Sequence, residues 1–391
     1  MVAPDQSAGF IWFAAQDWWY HNRAHSDFQL MKEVARERPV LVVNSLGLRV
    51  PRPGTSTNPA RRILRKLRSM SKLLSQPLPE LPKFHVLTPI LLPFYGDGVL
   101  ARWNARSIRF QVRWAARLAG LPNKPAIGVT IPTAWHVVEG MARSALVFNR
   151  SDLHSAFPEA DGQWVESLEN ALLTNSDRVL YVSHELMRND AALVGDRAYF
   201  LDHGVDLQRF SPDKPIDPEM AAIPAPRIGF FGGLDNYVVD MDLLERTARE
   251  IPDASLVLIG DATCPMDVLT ALPNVHWLGH RAYETIPSLG RGFDVALMPW
   301  LDNEWIRFAN PIKLKEYLAL GLPVVSTEYP EVDEYRAQIR VATTREDFTR
   351  LVRQALTDPG DSAARHAFVL PYSWHGRARA LLGLTDGIGG H

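Results

Sequence analysis

Residues 310–327, NPIKLKEYLALGLPVVST, place two lysines, a glutamate and a tyrosine in the first two turns of an expected helix. Pro311 suits the start of such a helix, where no N–H is needed, and Gly321 suits its end. Leu314 and Leu318, four apart, turn toward a core. Lys313, Glu316 and Tyr317 gather toward the N-terminal end, where unpaired backbone N–H groups favour an anion. These residues outline a phosphate site, and they equally describe an amphipathic helix with a solvated first turn.

Other groups with chemical capacity follow expected strands. Gly232 and Gly233 come after RIGFF and would let a diphosphate approach the backbone closely, before a helix that begins near Asp240. They lack the third glycine of a dinucleotide fingerprint and the lysine of a P-loop, so a tight strand-to-helix turn accounts for them as well. Asp17 follows FIWFAA, and Asp152 and His154 follow ALVFN. All three are candidates for general acid–base work beyond the strand ends. His136 and His203 read as structural histidines. His21 and His25 have the four-residue spacing of a metal pair, but the glutamate of a metalloprotease motif is absent. Asp240 and Asp242 form an Asp-x-Asp at a helix start, where capping is the expected job. No Gly-x-Ser-x-Gly turn argues for a serine hydrolase.

Charge is unevenly spread. Residues 1–200 carry 24 Lys and Arg against 17 Asp and Glu, and the remainder carries 18 against 27. In the first half, residues 60–75, ARRILRKLRSMSKLLS, contain Arg61, Arg62, Arg65, Lys66, Arg68 and Lys72 with no acid. Ile63, Leu67, Met70 and Leu74 give this segment a helical apolar seam, which suits an anionic membrane surface, an anionic ligand or a solvated loop. A second stripe, Arg102, Arg106, Arg109, Arg113 and Arg117, runs beside Trp103, Phe110 and Trp114. Nucleic acid is not expected as a partner, because zinc-finger spacing and RNA-binding signatures are missing.

Near-continuous apolar strands alternating with helices must position these groups. FIWFAA, PVLVVNS, FHVLTP, PAIGVTIP, ALVFN and RVLYVS are the strands of the first half; RIGFFGG, ASLVLIG, VHWLG, DVALMPW and LPVVST are those of the second. The pattern implies an α/β protein with two Rossmann-like parallel sheets covered on both faces. Five prolines between residues 203 and 227 mark a linker. The expected division is a first domain over 1–205, a second over 206–370 and a C-terminal helix over 371–391. The single cysteine, Cys264, permits no intrachain disulfide. With no span of about 18 apolar residues and no signal-like start, the expectation is a cytoplasmic protein, free or peripheral on the inner face of the cell membrane.

The succession DHGVDLQRFSP, the glycine turn, GHRAYETIPS, FDVALMPW and NPIKLKEYLALGLPVVST resembles the C-terminal half of family 4 glycosyltransferases of the GT-B fold. VFNRSDLHSAFPEAD resembles a segment of a bacterial subgroup that builds surface polysaccharides and related glycans, and SWHGRA looks like the start of that family's closing helix. The resemblance implies metal-independent transfer of a hexose from a nucleotide-sugar held by the 206–370 domain to a glycan, lipid-linked or small-molecule acceptor held by the 1–205 domain, with retained configuration and no cofactor, and with the 371–391 helix returning to the first domain. Asp17, Asp152 or His154 would then orient or deprotonate the acceptor hydroxyl. It further implies that Glu316 accepts hydrogen bonds from ribose hydroxyls. The stretch from Asn310 through Ile312, Lys313 and Leu314 would meet the diphosphate, with Gly233 nearby.

The chain departs from the family pattern at two points. Phe308 stands where the motif's first glutamate would be, leaving Glu304 as a substitute, and the turn after Gly233 lacks basic residues, leaving Arg281 or Arg307 to grip phosphate. Rival readings are a sugar-nucleotide epimerase and a catalytically silent member serving as a membrane or complex partner.

Overall fold

A computed structural model describes residues 9–19, 25–47, 68–92, 96, 98–157 and 161–388. The chain divides into two compact units, one made of residues 1–202 with 374–391 and the other of residues 203–373. The first holds an eight-stranded sheet whose strands are β1 (Phe10–Phe13), β2 (Val40–Val43), β3 (Leu74–Ser75), β4 (Phe84–Leu87), β5 (Ala126–Val129), β6 (Ala145–Arg150), β7 (Arg178–Tyr181) and β8 (Ala198–Phe200). They lie in the order β3-β4-β2-β1-β5-β6-β7-β8. Every pairing is parallel except that of β3 with β4. The helix Trp374–Asp386 belongs to this unit, where Arg38 grips Asp386 through two hydrogen bonds of 2.7 and 2.6 Å.

The second unit holds β9 (Arg227–Phe231), β10 (Ser255–Ile259), β11 (Val275–Gly279), β12 (Val295–Met298), β13 (Val324–Thr327) and β14 (Arg340–Ala342). All its pairings are parallel, in the order β11-β10-β9-β12-β13-β14. Alternation along each strand feeds two cores. Ile228 and Phe230 of β9 pack with Leu256 and Leu258 on one face, and Phe231 packs with Val257 and Ile259 on the other. A strand buried on both faces has no polar side, which is why these runs read as continuously apolar. In both sheets the order reverses beside the first strand, between β1 and β5 and between β9 and β12. Ligands of open parallel sheets bind outside the strand ends at such a switch point.

Two features of the fold are not visible in the sequence pattern. β3, β8 and β14 are edge strands of two or three residues, too short to carry a periodic signal. The helix Ile312–Ala319 is not amphipathic, because every residue from Leu314 to Ala319 is buried. Tyr317 in particular is a core residue whose hydroxyl accepts a hydrogen bond from the Phe231 backbone N–H at 3.0 Å. It lies about 60° around the helix from Leu314, so helical geometry carries it into the core rather than with Glu316. No helix among the described residues is long and apolar enough to cross a membrane. His21 and, in the basic segment, Arg61, Arg62, Arg65 and Lys66 lie outside the described residues.

Candidate functional site

At the switch point of the second unit, β9 is followed by Gly232, whose φ of +140° only glycine adopts without strain. A Cβ on Gly232 would overlap the Lys313 ammonium, and a Cβ on Gly260, at the end of β10, would overlap the Gly232 carbonyl. The backbone here therefore closes around the lysine. Gly233 instead faces open space. The chain then runs eight residues to the helix Met241–Glu250, whose start is filled by Asp240, accepting from the Leu243 N–H at 2.9 Å. Asp240 also pairs with Arg345 at 2.7 Å, and Asp242 is exposed on the first turn, so this Asp-x-Asp is built as a cap.

The helix Ile312–Ala319 begins differently. Pro311 occupies its cap position with no side-chain hydrogen bond, leaving the amides of Ile312, Lys313 and Leu314 without a capping side chain. Lys313 projects from this turn with Nζ 4.5 Å from the centre of the Phe230 ring. Glu316, one turn on, is 7% exposed and accepts a hydrogen bond from the Tyr283 hydroxyl at 3.0 Å. Burial pushes the Glu316 carboxyl up to about 7, against the pull of Tyr283 and Lys313. Burial likewise brings the Lys313 ammonium down to about 8, opposed by Glu316. Arg209 stacks over the Tyr283 ring at 5.3 Å and pairs with Asp206 at 3.3 Å, which extends the polar chain. Near neutral pH the cluster presents a carboxylate suited to a vicinal diol and a cation suited to phosphate, beside uncapped amides.

The remaining donor-side candidates are placed less directly. Asn310 is buried and its side-chain oxygen receives the Lys315 ammonium at 3.4 Å. Lys315 is itself fully buried between the rings of Tyr335 and Tyr372. Arg281 instead grips Glu219 with two hydrogen bonds, 2.6 and 3.3 Å. Arg307 stacks on Phe308 at 5.8 Å and lines a depression of about 500 Å³ whose other charged groups are Asp302, Glu304 and Glu328. Three carboxylates make that depression unfavourable to an anion. Glu304 sits there on the first turn of the short helix Glu304–Arg307.

In the first unit the switch point is occupied by a residue that sequence reasoning missed. Asp27, fully buried, accepts from the Trp12 indole at 2.9 Å, the Thr130 hydroxyl at 2.6 Å, the Asn149 amide at 3.3 Å and the Ala15 N–H at 2.9 Å. Its position in a helix's first turn looks like routine N-terminal charge, so nothing in the sequence sets it apart. Asp17 is also buried, receiving Ser69, the Trp19 N–H and Asn44. His154 is buried beside Glu169, and burial followed by the Arg150 charge lowers its imidazole to about 3. Arg150 is held by Glu169 and Asp190. Asp152, half-buried, accepts from Ser151 at 3.2 Å, and burial raises its carboxyl to about 7.

Comparison with known proteins agrees with this arrangement. Residues 225–358 match the family model of glycosyl transferases group 1. TuaH of Bacillus subtilis (strain 168), a glycosyltransferase assigned to teichuronic acid biosynthesis, is 27% identical over 201 residues, which span 49% of this chain and 49% of that protein. Among solved structures, a glycosyltransferase from Rickettsia africae ESF-5 aligns with a TM-score of 0.69 at 9% identity, covering 98% of this chain and 99% of its own. Sucrose-phosphate synthase from Thermosynechococcus elongatus gives 0.65 at 13%, covering 98% and 97%. Anabaena HepE in complex with UDP-glucose gives 0.60 at 15%, covering 98% and 97%. Residues 225–358 thus match the domain of the group 1 glycosyltransferases, within a fold of two parallel-sheet units like that of the GT-B glycosyltransferases.

Proposed function

We propose that the protein is a glycosyltransferase that moves a hexose from a nucleotide-sugar to an acceptor hydroxyl, without a metal. The observation that carries this reading is the cluster at the β9/β12 switch point, where an uncapped helix start, Lys313 and the buried Glu316 stand together beside Gly232. Glu316 accepts the ribose hydroxyls. Lys313 and the amides of Ile312, Lys313 and Leu314 stabilise the diphosphate as the glycosidic bond breaks, which is the electrostatic work that a cation performs elsewhere. HepE, with UDP-glucose, supports a uridine donor as the first to test.

On the acceptor side, Asp152 is the candidate general base. Its carboxyl near 7 is matched to proton abstraction at neutral pH, whereas His154 is buried against Glu169 and Asp17 is engaged by its own neighbours. The partial match to TuaH supports a surface-glycan acceptor, and an anionic membrane surface is a further proposed partner.

A thermal-shift screen of UDP, ADP and GDP with their glucose conjugates tests the reading, because a ligand of the native state raises the melting temperature with concentration. Stabilisation by one nucleotide and its sugar, lost in Glu316→Ala, is the expected result. No stabilisation by any of them at millimolar concentration overturns it.

A further inference from the structure

The helix Val99–Leu118 has two apolar faces. Ala105, Ile108, Val112 and Ala115 are buried, forming the stripe that docks a helix on its unit. Opposite them, at 100° per residue, Val99, Trp103, Phe110 and Trp114 fall within a sector of about 60° pointing outward. Val99 is 79% exposed, Phe110 73%, Trp103 57% and Trp114 48%. Arg102, Arg106, Arg113 and Arg117, all exposed, line one edge of this face, and Leu100 and Leu118 line the other. The helix contains no aspartate or glutamate.

Its rotation is fixed from within. Arg109 donates to the carbonyls of Val137 and His136, each at 2.8 Å, and Arg113 donates to that of Gly140 at 2.8 Å. Glu139 is the acid whose charge reaches Arg109. The outward rings are thus presented by a tethered helix, and a solvated face does not ordinarily place three aromatic residues at its centre.

We propose that this face docks on an anionic lipid bilayer, with Trp103, Phe110 and Trp114 entering the headgroup boundary and the arginines meeting lipid phosphates. Indole and phenyl rings favour that boundary, and basic residues beside it are drawn to the anionic headgroups. A second copy docked with the helices antiparallel fits less well, because that two-fold contact would set two arginine rows against each other. The inference concerns the first unit and does not depend on the donor reading.

Sedimentation of the full chain with phosphatidylcholine vesicles, with and without phosphatidylglycerol, tests it. Wild-type protein should pellet with the anionic vesicles, much less with neutral ones, and less as salt rises. The triple variant Trp103→Ser, Phe110→Ser, Trp114→Ser and the pair Arg106→Glu, Arg117→Glu should each lower the apparent partition roughly tenfold or more. Unchanged melting temperatures would show that these outward substitutions leave the fold intact. The proposal is overturned if wild-type protein ignores anionic vesicles, or if the triple variant pellets as well as wild type. It is also overturned if light scattering without lipid finds a dimer that the triple variant dissolves, or if an acidic protein competes the wild type off vesicles at equal mass.

Discussion

Apart from the edge strands β3 and β8, the two units share a strand order but fill their switch points in opposite ways. Between β1 and β5, Asp27 is a buried carboxylate whose oxygens accept from an indole, a hydroxyl, an amide and a backbone N–H, all from the same unit. Between β9 and β12 stand a glycine of positive φ, an uncapped helix start and the pair Lys313 and Glu316, both shifted by burial toward their neutral forms. Among the described residues, Tyr283 is the donor to Glu316. A buried charge with a full set of donors is architecture; one held with few is stabilised when a ligand brings the rest. The same topology thus holds a closed site and an open one.

Removing Asp27 should break the comparison most forcefully. Asp27→Ala takes away the acceptor that four donors of the first unit share and should cost about 3–5 kcal/mol of unfolding free energy, read by urea denaturation. Nucleotide-sugar affinity of the folded fraction should stay at the wild-type value, since the second unit keeps its own site.

Gly232→Ala should rank next. The methyl group meets Lys313 at a φ that alanine avoids, so a loss on the order of 2 kcal/mol in stability is expected, together with weaker UDP-glucose binding in calorimetry. Adding Lys313→Ala should cost less binding in this background than in wild type, and strict additivity would deny that the two share a site.

Glu316→Gln separates function from stability. Binding of UDP-glucose should weaken by about 1–3 kcal/mol, because charge assistance to the ribose hydroxyls is lost. Stability should move the other way. The folded carboxyl titrates near 7 against an ordinary 4.5, so ionising it opposes folding; the penalty is absent below 4.5 and complete above 7. At pH 8 the variant should therefore unfold no more easily than wild type, and on the order of 1–3 kcal/mol less easily if the penalty is fully relieved. In wild type, donor affinity should be highest between about 7 and 8, falling on the acid side as Glu316 takes a proton and on the alkaline side as Lys313 loses one. The acid limb should vanish in Glu316→Gln.

The smallest effect is expected at His154. Its imidazole is lowered from 6.5 to about 3 in the folded unit, so its contribution to stability is complete above 6.5 and fades as pH falls from there toward 3. His154→Asn should leave stability at pH 8 within about 1 kcal/mol of wild type and flatten the decline in acid. An unchanged acid profile would deny that the histidine is buried neutral.

Much of this was legible along the chain. The eleven strands quoted from the sequence all form, most of them because a doubly covered parallel strand is apolar throughout and leaves an unmistakable run; the edge strand β11, with His276 and Trp277, is mixed. Pro311 and Gly321 bound the 312–319 helix, whose end Gly321 makes at a φ of +74°. Tyr283 and Arg209 lay inside segments that the family resemblance had already marked, yet no spacing tied either to Glu316, which is more than thirty residues from one and over a hundred from the other.

What the sequence determined by itself is local: strand and helix identity, the switch from one unit to the next and the residue types at the helix start, each fixed by periodicity and backbone preference over a few neighbours. Only the tertiary structure decided which charges are satisfied. Asp27 and Glu316 are both acids near helix starts. One is closed by donors on or just beyond β1, β5 and β6, while the other is left beside a lysine and a tyrosine. Burial and partner count depend on residues that only folding brings together, and those two quantities set the state of a buried charge.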